Sequence, residues 1–148
     1  MKNLGILIDH PGHSQKFKCI TEEIAKLPSD INTTIFMVEP GVIPSQTNFP
    51  VLNLVYAYDF CGTLISTDVY TTLVLNNCLR PKKRYFYVWD LEYLYQPFNF
   101  ADLQKIFANP KIELIARNEF RHDLLSRTWK EPKFTMENFN HERLQHLL

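Results

Sequence analysis

A chain of 148 residues with 45% hydrophobic content holds the material for one core of ordinary size and not for two full domains. Its 16 Lys and Arg balance its 16 Asp and Glu, so there is no excess positive field to hold a phosphate backbone by counterion release, and nucleic acid is not the expected partner. No run approaches the roughly 18 apolar residues of a membrane span, and the opening apolar run is too short for a signal peptide's core, so neither membrane insertion nor secretion is expected.

In chain order, the apolar run over 4–8 stops at Asp9 and meets His10-Pro11-Gly12-His13, which predicts a strand feeding a loop. Ser14 stands where it would cap a helix in which Phe17, Ile20, Ile24 and Leu27 recur at helical spacing until Pro28. Residues 33–38 form a β-branched strand turned by Glu39-Pro40-Gly41. A third strand is predicted over 50–54, a short helix over 56–61 and a fourth strand over 63–66. Thr67 or Asp68 then caps a helix reaching about Asn77. Past Pro81, residues 85–89 are the most strand-like run in the chain. There follow a helix over about 100–107, a strand over 112–116, a helix over 119–126, a short strand over 134–136 and a terminal helix over 141–148.

Strands alternating with helices, several of them apolar throughout, predict an α/β fold: a single Rossmann-like domain over 1–148, with a mostly parallel sheet and helices on both faces. Ligands of such sheets bind outside the carboxyl ends of the strands, where the strand order reverses. The three cysteines, Cys19, Cys61 and Cys78, are odd in number, far apart and without a Cys-x-x-Cys spacing. They read as reduced thiols of a cytoplasmic protein, with no metal site.

Residues just past the strands are Asp9, His10, Gly12 and His13, then Glu39, Thr67 and Asp68, Asp90 and Glu92, Arg117 and Asn118, and Asn138. The His10 to His13 segment joins two imidazoles that titrate near neutral pH to a glycine that admits close backbone approach, ahead of a helix N-terminus that favours anions. The same residues also suit a plain polar loop with a turn glycine. Asp90 and Glu92 are placed to accept hydrogen bonds from a sugar's hydroxyls or to act as a general base, or one of them to cap the next turn. Of the aromatic run Tyr85, Tyr87, Trp89, Tyr93, Tyr95, Phe98 and Phe100, most belongs to the core and part offers a stacking surface. Arg80, Lys82, Lys83 and Arg84 precede a strand, which puts them at the opposite edge as a solvated connector rather than a phosphate patch. Asn118 and Asn140 have the ordinary task of helix caps. Neither a Gly-x-Gly-x-x-Gly nor a Gly-x-x-x-x-Gly-Lys-Ser/Thr loop is present, and no cofactor is expected.

Gly5-Ile6-Leu7-Ile8-Asp9-His10, Phe86-Tyr87-Val88-Trp89-Asp90-Leu91-Glu92, Leu114-Ile115-Ala116-Arg117-Asn118 and Glu137-Asn138-Phe139-Asn140 together resemble the amino-terminal domain of GT-B glycosyltransferases, particularly small bacteriophage-encoded forms. The resemblance implies an acceptor-side domain whose His10 to His13 loop faces an interdomain cleft. A second Rossmann-like domain, for which this sequence has no counterpart, would bind the nucleotide-sugar, so a partner chain or self-association is expected to complete a sugar-transfer site. On that reading His10, His13 or Asp90 serves as the base, and Asp9, Gly12, Thr67, Glu92, Arg117 and Asn118 contact a sugar or nucleotide-sugar. Backbone amides near Gly12 would stabilise charge on the donor phosphates. The alternative is a non-catalytic nucleotide- or sugar-binding or protein-docking module on the same fold.

Overall fold

The computed structural model describes residues 1–9, 14–38 and 47–148. Its first strand, β1 (Lys2–Ile8), is exposed at its start and sealed on both faces from Leu4 to Ile8, as the uninterrupted apolar run requires of a central strand. Helix α1 (Gln15–Ile24) leads to β2 (Ile31–Met37) and β3 (Val51–Asn53). A 3₁₀ turn (Leu54–Asp59) precedes β4 (Thr63–Ser66), α2 (Val69–Asn77) and β5 (Lys83–Val88). A second 3₁₀ turn (Glu92–Leu94) is followed by α3 (Phe100–Phe107), β6 (Glu113–Ala116), α4 (Glu119–Thr128), β7 (Phe134–Thr135), a third 3₁₀ turn (Glu137–Phe139) and α5 (His141–Leu147).

The strands form one sheet of seven, all parallel, in the order β3-β2-β1-β4-β5-β6-β7. This is the α/β, Rossmann-like arrangement expected from the alternation. The chain winds outward from β1 to β3, returns to lay β4 against the other side of β1, and then winds outward the opposite way. The strand order therefore reverses between β1 and β4, and the crossovers diverge there to leave a crevice at the carboxyl edge.

Alternating side chains divide the core in two. Leu7, Phe36, Leu64, Phe86 and Leu114 face α2, α3 and α4 through Leu75, Leu103, Phe107 and Leu125. Ile6, Ile35, Ile65, Tyr87 and Ile115 face α1 and α5 through Phe17, Ile20, Leu144 and Leu147. Each helix starts on a side-chain cap, Ser14, Asp68, Asn99, Asn118 and Asn140 in turn, whose oxygen accepts a backbone N–H of the first turn. The short helix predicted over 56–61 is a 3₁₀ turn beginning two residues earlier, because Asn53 accepts the Val55 N–H and starts the turn there. Strand β2 begins two residues before the predicted start, since Ile31 pairs with Lys2 at the edge of the ladder.

Tyr87 ties the far end of the chain to the sheet. Its buried hydroxyl donates to the Met136 carbonyl at 2.7 Å and accepts the Phe139 N–H at 3.3 Å. Asn138 and Phe139 both hold positive φ, 49° and 55°, a conformation costly for a bulky residue and kept here by those bonds. No described helix is long and apolar enough to cross a membrane.

Candidate functional site

Where β1 and β4 separate, four segments place polar side chains round a cavity of about 700 Å³ at the carboxyl edge. Asp9 follows β1, and its backbone N–H donates to Asp68 Oδ2 at 3.2 Å. Asp68 follows β4 and caps α2 by accepting the Thr71 N–H at 2.8 Å, with only 1% of its surface exposed. Lys16, in the first turn of α1, reaches back between them, its Nζ 3.0 Å from Asp9 Oδ1 and 3.5 Å from Asp68 Oδ2. Glu92 arrives from beyond β5, and its Oε2 accepts the Val69 N–H, at the start of α2, at 3.0 Å. Two carboxyl groups thus share the positive end of one helix.

Burial sets the electrostatics. It pushes the Glu92 carboxyl up to about 7, with the nearby charges of Asp68 and Asp9 adding to the effect and the Val69 N–H and Lys16 opposing it. Asp68 is raised by burial as well, against the pull of Lys16. For Lys16, burial works against the charge, but Asp68, Asp9 and Glu92 outweigh it and keep the ammonium above its ordinary range. The cation lies between the two aspartates and pairs with both. Among the described residues, no group of three or more His, Cys, Asp or Glu side chains is arranged to hold a metal.

Asp90 behaves in the opposite way to Glu92, two residues on. Its Oδ1 accepts the Leu91 N–H at 2.8 Å, its Oδ2 accepts the Tyr95 hydroxyl at 2.7 Å, and Arg121 Nη2 stands 3.6 Å away. Burial acts to raise its pKa, yet these three partners together hold the carboxyl below its ordinary value. It is an ionised anchor, whereas Glu92 is poised between its two protonation states near neutral pH. Trp89, Tyr95 and Phe98 supply apolar wall to the same cavity.

Of the residues nominated from sequence, Asp9, Asp68, Asp90 and Glu92 line this cavity together. Thr67 lies at the same strand end but is fully buried, its hydroxyl donating to the Leu7 carbonyl at 2.9 Å, so it braces β4 against β1 instead of facing a ligand. Arg117 stands over the Trp89 ring, its guanidinium carbon 3.8 Å from the ring centroid, and Asn118 caps α4 through the Arg121 N–H at 2.9 Å. Both stand just past β6 at the carboxyl edge, and neither lines the cavity. His10, Gly12 and His13, with Glu39, fall outside the described residues.

Sequence reasoning missed Lys16 and Tyr95. A lysine on an amphipathic helix reads as solvated, and Tyr95 stood undivided in an aromatic run expected to be mostly core and partly a stacking surface. The one signal for Lys16 was its position in the first turn of the helix that follows β1, a turn that must look onto the switch point. Compared with protein-family models, with curated proteins and with solved structures, the chain matches none of them.

Proposed function

We propose that the cleft takes a neutral, hydroxyl-bearing ligand of the sugar class, and that the chain acts as the acceptor side of a sugar-transfer site. The observation that carries this is the pairing, at the switch point, of a carboxyl poised at about 7 with an ionised neighbour and an aromatic wall. Glu92 in its carboxylate form would take the proton of an acceptor hydroxyl, since a base with a pKa near the working pH combines a useful ionised fraction with proton affinity. Asp90, its carboxylate already oriented by Leu91 and Tyr95, would receive a second hydroxyl, and Trp89 would present a ring face to the sugar's C–H groups.

Charge argues for an acceptor and against a donor. Among the described residues, Asp9, Asp68, Asp90 and Glu92 line the cleft with one cation, Lys16, and such a wall repels the diphosphate of a nucleotide-sugar. The donor would then be held by a second unit, which is what the likeness to a GT-B acceptor domain implies. The base assigned on this geometry is Glu92 in preference to Asp90, because Asp90 is held ionised by three partners and has little affinity for a proton.

A non-catalytic binding module is the second reading, and the exposure of Tyr95 (62%) and Leu94 (64%) beside the cleft favours it. Saturation-transfer NMR and a thermal-shift series with simple sugars, nucleotide-sugars and free nucleotides separate the two, using Trp89→Ala and Glu92→Gln variants. A sugar that binds, loses affinity in Trp89→Ala and keeps it in Glu92→Gln supports a base that acts after binding. Preferential binding of the charged nucleotides would refute the acceptor reading.

A further inference from the structure

At the amino edge of the sheet, away from the cleft, the segments leading into β5, β6 and β7 gather cations round a second cavity of about 440 Å³. Lys82, Lys83 and Arg84 come from the first segment, Lys111 from the second and Lys133 from the third. Glu113 is the one carboxylate on the cavity wall among the described residues, and it is engaged by Lys133, with Nζ 2.6 Å from Oε2. Lys82, Lys83, Arg84 and Lys111 make no ion pair among the described residues. Lys83 donates to a neutral acceptor, the Leu147 carbonyl, at 2.7 Å. Arg84 Nε is buried and without a hydrogen-bond partner.

Helix C-termini also point to this edge and attract positive charge, which accounts for some cations here. Just past the end of α3 stands one such cation, Lys130, whose ammonium donates to the loop carbonyls of Asn109 and Ile112. The four unpaired cations go beyond it, in a chain whose formal charge is zero. Like charges drawn into one concave site repel one another unless an anion joins them.

We propose that this pocket is an anion site for a small phosphorylated ligand, separate from the carboxyl-edge cleft. A phosphate group offers several acceptor oxygens and up to two charges to the point-like ammonium groups of Lys82 and Lys111 and to the Arg84 fork.

Titration of the whole chain with inorganic pyrophosphate, at constant ionic strength with chloride as the balancing ion, tests the proposal. Saturable binding is expected, with NMR amide shifts centred on residues 82–84, 111 and 133. The double variant Lys82→Ala/Lys111→Ala removes two exposed side chains that the core does not need, and should bind about tenfold or more weakly. Lys105→Ala, on the outer face of α3 and paired with Asp102, should bind as the parent does. Absence of saturation, shifts elsewhere, or unchanged affinity in the double variant would overturn the proposal. So would an oligonucleotide bound at these residues that pyrophosphate fails to displace. None of these outcomes bears on Glu92 or the cleft, so the two sites stand or fall separately.

Discussion

Replacing Glu92 by Gln asks whether the cleft holds a carboxyl against its own ionisation. In the folded chain this group titrates at about 7, against an ordinary value of 4.5. Between those two pH values the folded state keeps a proton that the unfolded state has released. Stability supplied by this group is therefore complete below about pH 4.5, falls as pH rises to about 7, and is level beyond. The whole shift corresponds to about 3 kcal/mol, and solvent reaching the partly exposed side chain reduces the expectation to about 2 kcal/mol. Gln has no charge to lose and keeps an oxygen for the Val69 N–H, so the one structural hydrogen bond made by Glu92 Oε2 survives. The variant should match the parent at pH 4 and exceed it by about 2 kcal/mol at pH 8, as read from urea midpoints at constant m-value. A difference that stays constant from pH 4 to pH 8, or a parent that is the more stable protein at pH 8, would refute the argument. The expected direction is also informative about function, because a residue that lowers stability at neutral pH is of the kind retained for a site's chemistry.

Lys16→Met removes the cation from between Asp9 and Asp68 and leaves the buried Asp68 carboxylate uncompensated, so denaturant unfolding at pH 7 should show a loss of about 3 kcal/mol. That loss should shrink towards pH 4, where Asp68 takes up a proton instead. Tyr87→Phe deletes the hydroxyl that joins Met136 and Phe139, at a cost of about 2 kcal/mol, and hydrogen exchange over 137–139 should quicken because the positive-φ pair loses its brace. Asn118→Ala should lower the melting temperature through loss of the α4 cap, worth about 1 kcal/mol, and Asn118→Ser should restore most of it. A variant Asn118→Ser no better than Asn118→Ala would show that the residue does something other than capping.

Much of the fold and part of the site could be read from local pattern. Apolar runs broken by Asp9, Asp68, Asp90 and Arg117 marked where strands end, and parallel strands carry those ends to one edge whatever their order. Capping is equally local: Ser14, Asp68, Asn118 and Asn140 each bond to a backbone N–H within three residues, so these helix starts were legible from residue type, although Thr67 and Asp68 were told apart only in the fold. Strand order does not follow in this way. The placement of β4 beside β1 depends on long-range packing of both sheet faces, and it alone brought Asp9 to Asp68 and opened the crevice for Lys16 and Glu92. Nor could the sequence separate the roles of Asp90 and Glu92. Two carboxyls two residues apart look alike in a string of letters, and they diverge because Tyr95, Leu91 and Arg121 solvate one while burial beside Asp68 isolates the other. Periodicity and capping act over a few neighbouring residues and are written into the sequence, whereas desolvation and Coulomb interaction depend on distances that exist only once the chain has folded.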